Sequence, residues 1–115
     1  MKPAVILSLF ATAALAADEA CSRTNKENNN VYYYFYKATP GQPTGYQWCY
    51  GFYDKLVAYC TISSKGCSTF AGSLPSSSHS SSSWTFLVPN TCTNENVETA
   101  WQEFTSGEFG SSNCA

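Results

Sequence analysis

Six cysteines, Cys21, Cys49, Cys60, Cys67, Cys92 and Cys114, are spread along a chain of 115 residues. An even number of cysteines in so short a chain reads as three disulfides if the compartment is oxidising, with 15 possible connectivities that spacing alone does not resolve. The alternatives for thiols find no support. There is no CxxC pair, and the single histidine, His79, stands in a serine tract, so no zinc-ligand pattern is present. The even count also leaves no thiol over for catalysis. No metal or other cofactor is expected.

The first residues supply the compartment. Met1-Lys2-Pro3 gives a positive start, residues 4–15 are apolar apart from Ser8 and Thr12, and Ala14-Leu15-Ala16 places small residues where a signal peptidase reads. The apolar run is about 12 residues, short of the roughly 20 a membrane span needs. Residues 1–16 are therefore expected to be a secretory signal, cleaved after Ala16 or Ala17. Residues 17–115 then form one secreted, extracellular domain stapled by three bridges. Losing Lys2 with the signal leaves five basic and eight acidic residues, a net charge of −3. That balance argues against nucleic acid as a partner and against charge-driven insertion into anionic membranes. Six cysteines in about 99 residues fall below the density of a pure disulfide cage, so a small hydrophobic core is expected beneath the bridges.

Residues 31–38 (VYYYFYKA) carry the strongest strand signal, being almost wholly β-branched or aromatic. The polar stretch 22–30 reads as a loop, and 39–45 as a turn. Residues 46–53 and 56–63 read as two strands joined by a hairpin turn at Asp54-Lys55. That register would put Cys49 opposite Cys60, near 5.5 Å between Cα atoms and within bridging range. The same stretch also carries Tyr46, Cys49, Tyr50, Tyr53, Val57 and Cys60 at helical spacing; its aromatics and Gly51 favour strands. Residues 63–66 read as a turn, 67–74 as a short edge strand and 84–88 as another strand, ended by Pro89. The serine run 76–83 (SSSHSSSS) reads as a flexible exposed loop. A helix follows, capped by Thr93 or Asn94, with Val97, Ala100, Trp101 and Phe104 forming its apolar stripe and Gly107 ending it. The expected fold is α+β and β-rich: an antiparallel sheet of four to six strands with one C-terminal amphipathic helix.

Reactive groups are scarce. His79 could serve a small secreted hydrolase such as a ribonuclease, but a histidine among serines has nothing to orient it, and Arg23 is the one arginine available to a phosphate. Glu95 and Glu98 share a helix, where capping and solvation explain both; Asp54 is explained by its turn. The aromatic run says more. In a strand, Val31, Tyr33 and Phe35 point one way as a core face. Tyr32, Tyr34 and Tyr36 point the other, as a row that can stack on sugars or serve as hot spots for a protein, unless a second layer covers it. Tyr46, Trp48, Tyr50 and Phe52 read as a second such set, with Trp48 in the core.

With its leader, six cysteines after it, small size and few catalytic groups, the chain resembles the small secreted cysteine-rich proteins of filamentous fungi, many of them candidate effectors at the host interface. It lacks the paired-cysteine doublets of hydrophobins and the eight-cysteine pattern of the CFEM domain, and matches neither LysM modules nor killer-toxin folds. The resemblance implies a non-enzymatic extracellular role in virulence, through binding a host extracellular protein or a surface, and it transfers no residue. A carbohydrate-binding module that recognises cell-wall glycan through Tyr32, Tyr34 and Tyr36 is the alternative.

Overall fold

The computed structural model describes residues 20–71 and 80–114; the expected signal segment and His79 lie outside them. The fold is α+β and strand-rich. Its elements are β1 (Ala20–Asn25), a 3-10 turn (Glu27–Asn29), β2 (Asn30–Ala38), α1 (Gly51–Leu56), β3 (Ser64–Ala71), β4 (Ser80–Pro89) and α2 (Asn94–Thr105). The strands form one antiparallel sheet in the order β1-β2-β4-β3. Both helices pack on a single side of it.

Alternation builds the core. Val31, Tyr33 and Phe35 of β2 face the helices, with Val88, Phe86 and Trp84 of β4 opposite them in register. Phe52 and Leu56 of α1 and Val97, Ala100 and Trp101 of α2 close this apolar cluster. Phe35 lies at its centre, stacked on Trp84 (centroids 4.9 Å, 16°) and edge-on to Trp101 (5.5 Å, 89°). The polar tips of the buried rings are all engaged. Trp84 Nε1 donates to Cys49 O and Trp101 Nε1 to Gly110 O, each at 2.8 Å, and the Tyr33 hydroxyl donates to Asn94 Oδ1 at 2.6 Å. Among the described residues no buried side-chain nitrogen or oxygen lacks a partner, as a small core requires.

All six cysteines are bridged, as Cys21–Cys114, Cys49–Cys67 and Cys60–Cys92. The expected juxtaposition of Cys49 with Cys60 is therefore incorrect. So is the hairpin that suggested it. Residues 46–60 wind as helical turns around α1, through bonds such as Tyr50 N–H to Tyr46 O (3.1 Å) and Cys60 N–H to Leu56 O (3.0 Å). The buried stripe is Cys49, Phe52, Tyr53, Leu56 and Cys60, a helical repeat displaced from the one read in the sequence. Tyr46 and Val57 are instead 61% exposed. Gly51, taken as a strand feature, is where α1 meets α2: a Cβ there would stand 2.8 Å from Phe104 Cε1. Asp54 is an exposed residue of α1, not a hairpin turn.

Three boundaries also differ. Residues 20–25 form β1, although 22–30 reads as a loop, because this edge strand is held by pairing with β2 and by Cys21 and buries no apolar stripe. β3 starts at Ser64, inside the expected turn, and is the edge strand on the other side. β4 starts at Ser80, so Ser80–Ser83 belong to a strand and not to an exposed loop. Ser80 and Ser82 are buried there because hydroxyls meet them: Ser82 Oγ lies 2.7 Å from Thr39 Oγ1 and 2.9 Å from Thr69 Oγ1, and Ser80 Oγ donates to Thr39 O. α2 matches its expectation. Thr93 caps it by accepting from Asn96 N–H at 3.1 Å, and left-handed Ser106 and Gly107 end it.

Candidate functional site

With both helices on one side, the other face of the sheet is uncovered by any described element. Residues paired across an antiparallel ladder share a face, so the register writes out this surface. Tyr32 stands between Thr24 and Leu87, Tyr34 between Ser22 and Thr85, and Tyr36 between Ala20 and Ser83. Beyond β4 come Ser64, Gly66, Ser68 and Phe70 of β3. No outward position on the four strands carries a charge.

The tyrosines form a ridge, with successive rings about 6.8 Å apart along the strand. Tyr32 and Tyr34 are 36% and 38% exposed. Tyr36 is half-buried because its hydroxyl donates to Ser81 Oγ at 3.0 Å, which lays the ring toward β4. Small hydroxyl side chains flank the ridge, and Gly66 beside Thr85 adds no bulk. Phe70, 49% exposed, is the aromatic of this face outside β2. The row expected from alternation thus lies together on one face that no described element covers.

The buried side anchors this surface to the helical layer. The Tyr53 hydroxyl rises from α1 to the carbonyls of Gly66 (2.7 Å) and Thr85 (2.8 Å), tying the helical layer to β3 and β4. Burial pushes its pKa well above the ordinary phenol value, against the opposing effect of these hydrogen bonds. On β1, Arg23 donates through Nε to the Tyr33 hydroxyl (2.9 Å) and through a terminal nitrogen to Asn90 O and Cys92 O (3.3 and 3.4 Å). Lys37, buried on the helical side, donates to Ser111 O.

At the Tyr32 end the face runs into a cleft of about 550 Å³, between the 3-10 turn and the ends of β2, β4 and β3. Asn28 and Asn29 both adopt φ 61°, a left-handed conformation that asparagine tolerates better than most residues. The turn is pinned by Lys26 N–H to Asn30 O and Asn90 N–H to Asn29 O, both 2.8 Å. Lys26 Nζ sits 5.7 Å from the Tyr32 ring centroid.

The remaining sequence candidates do not gather here. Glu95 is exposed on α2, while Glu98 binds the C-terminal segment: its carboxylate accepts from Ser112 N–H (2.9 Å), Ser112 Oγ (2.6 Å), Ser111 Oγ (3.1 Å) and Gln102 Nε2 (2.7 Å). Burial raises its pKa, and these hydrogen bonds outweigh that and hold it below the usual glutamate value. Tyr46, Trp48, Tyr50 and Phe52 share no strand face; Trp48 is half-buried against Phe104 (4.9 Å) and Phe52 is in the core. The cleft residues Lys26, Glu27, Asn28, Asn30, Ser64 and Leu87 were not legible as a site. The run Asn28-Asn29-Asn30 was the one signal of an unusual turn. Among the described residues no group of three His, Cys, Asp or Glu side chains is placed to hold a metal ion, and no helix is long and apolar enough to cross a membrane. Comparison of the chain with known protein families, curated proteins and solved structures finds no match.

Proposed function

We propose that this is a secreted, non-enzymatic binding protein, effector-like in class, that works by laying its outer sheet face on an uncharged cell-wall polysaccharide. The observation that carries the reading is the open tyrosine ridge flanked by hydroxyl side chains. Polysaccharides present apolar C–H faces bordered by hydroxyls. Rings supply the matching apolar contact, with Ser and Thr hydroxyls beside them as donors and acceptors. The lack of charge on the strands' outward positions favours a neutral ligand. Disulfides and the leader support an extracellular site of action.

A host protein is the other occupant suggested by the resemblance. Tyrosines serve protein interfaces well, but a stable interface needs roughly 800 Å² from each partner and an apolar centre. The small hydroxyl neighbours of this ridge provide little of that centre, so the glycan reading is preferred.

Sedimentation with insoluble chitin, β-glucan and cellulose tests it. Wild type should be depleted by at least one of them. Tyr34→Ala, at a side chain that the core does not need, should weaken retention about tenfold, equivalent to about 1.4 kcal/mol. If no polysaccharide retains the folded wild type, the reading fails and a protein partner takes its place.

A further inference from the structure

We infer that the cleft at the Tyr32 end of the ridge is a subsite for one N-acetylated sugar residue. The inference rests on the glycan reading above and adds a ligand class to it. Its volume, about 550 Å³, falls within the usual range of small-ligand pockets. Tyr32 belongs both to the ridge and to the cleft wall, so a single glycan can run from one into the other.

The side chains lining the cleft favour an acetamido group over a plain hydroxyl. Leu87 is the one branched aliphatic residue at the outward positions of the four strands; hydroxyl, tyrosine and small side chains dominate the rest. It is half-buried in the cleft wall, directly opposite Tyr32 on β2 and Ser64 on β3. Asn28 and Asn30 add amides, each able to donate and accept, and Ser64 adds a hydroxyl. An acetamido substituent brings one methyl, one N–H donor and one carbonyl acceptor. A sugar bearing only hydroxyls meets Leu87 with its C–H face alone and has no methyl to seat against it. Lys26 and Glu27 line the same cleft with opposite charges, which gives no net preference for an acidic sugar. The Lys26 ammonium rests on the Tyr32 ring through an exposed cation–π contact, which is weak. A sugar ring can replace it there and leave the ammonium as a donor to hydroxyls. The pinned turn keeps Asn28 and Asn30 in place before the ligand arrives, which lowers the ordering cost of binding.

Calorimetry with an N-acetylglucosamine tetramer and with cellotetraose, equal in length, tests the subsite. Wild type should bind the N-acetylated tetramer about tenfold more tightly, the low end of the discrimination that one apolar group supplies, as suits an open cleft. Leu87→Thr, which keeps a strand-forming side chain, should bring the two affinities within about threefold. Amide NMR shifts of the wild type on adding the N-acetylated tetramer provide a measurement independent of any variant's folding. They should centre on Asn28, Asn30, Ser64 and Leu87. Equal affinities in wild type, a preference that survives in folded Leu87→Thr, or shifts that avoid the cleft would each overturn the subsite. If polysaccharide is still retained through Tyr34 in that case, the ridge reading stands alone. If no polysaccharide or tetramer binds at all, the ridge reading falls and the subsite falls with it.

Discussion

Replacing both cysteines of the Cys21–Cys114 bridge by alanine should free β1 from the sheet before the rest of the domain unfolds. The bridge closes a separation of 93 residues. Loop-closure entropy for that length amounts to about 4.7 kcal/mol, or about 4 kcal/mol once the two interior bridges shorten the free path. A small domain has a total stability of roughly 5–15 kcal/mol, so the loss is a large fraction of it. β1 has little else to hold it. Apart from the half-buried Cys21 its side chains are exposed, and its remaining ties are the ladder to β2 and the three Arg23 hydrogen bonds. Urea unfolding followed by tryptophan fluorescence should show a midpoint lower by about 2–4 M, taking the slope expected for a chain of this size. Amide exchange at β1 should quicken far more than at β4, which is central in the sheet. A midpoint within about 0.5 M of wild type, outside any plausible slope for such a loss, would refute the entropic reasoning. β1 amides as slow to exchange as those of β4 would refute the local one.

Three further outcomes follow from the packing. Tyr53→Phe removes the one hydroxyl proton that the carbonyls of Gly66 and Thr85 share, Gly66 O keeping Thr85 Oγ1 at 3.3 Å, and should cost about 1 kcal/mol in denaturant unfolding. Because burial raises the Tyr53 pKa, its contribution is complete below the ordinary phenol value near 10 and is lost as pH rises through the higher folded value; alkaline titration by ultraviolet absorbance should show a late-titrating set of phenols, Tyr33 and Tyr59 being raised as well, from which Tyr53→Phe removes the last to ionise. Gly51→Ala forces a Cβ toward the Phe104 ring and should cost about 1–2 kcal/mol, overpacking outweighing the gain in helix propensity. Adding Phe104→Leu should recover part of that loss, and strictly additive effects would show that the two sites do not touch. Glu98 has a depressed pKa, so its stabilisation is present above the ordinary glutamate value of 4.5 and fades as pH falls through the folded value. Glu98→Gln should therefore cost about 1 kcal/mol at neutral pH, solvent screening being allowed for, and progressively less as pH falls through the folded value; a gap that does not narrow in acid rules out the carboxylate as its cause.

What could be read along the chain was what local pattern encodes. β2 was visible because a strand sets alternate residues on opposite faces, and Val31, Tyr33 and Phe35 alternate with tyrosines that need no burial. α2 was visible because its apolar stripe and its cap fall at helical intervals. Residues 46–60 satisfied both periods, and aromatic strand propensity pulled the reading the wrong way. The close approach that Gly51 permits, against Phe104, joins residues 53 apart in sequence. β1 was invisible because a polar edge strand has no apolar alternation to show. The serines at the start of β4 resembled a solvated tract because nothing local reveals that Thr39 and Thr69 will meet Ser82.

Sequence alone therefore determined the tyrosine row and the C-terminal helix, properties of neighbours a few residues apart, and, from composition and the succession of such patterns, an α+β class and an even set of cysteines. Only the tertiary structure decided which cysteines pair and that both helices cover one side of the sheet. It also decided that Tyr32 meets Leu87 and Ser64 at a cleft beneath the Asn28 turn. Those depend on where β3 and β4 come to lie relative to β2. Strand order is chosen by the packing of the whole core, a sum over distant residues to which no short stretch of sequence holds the answer.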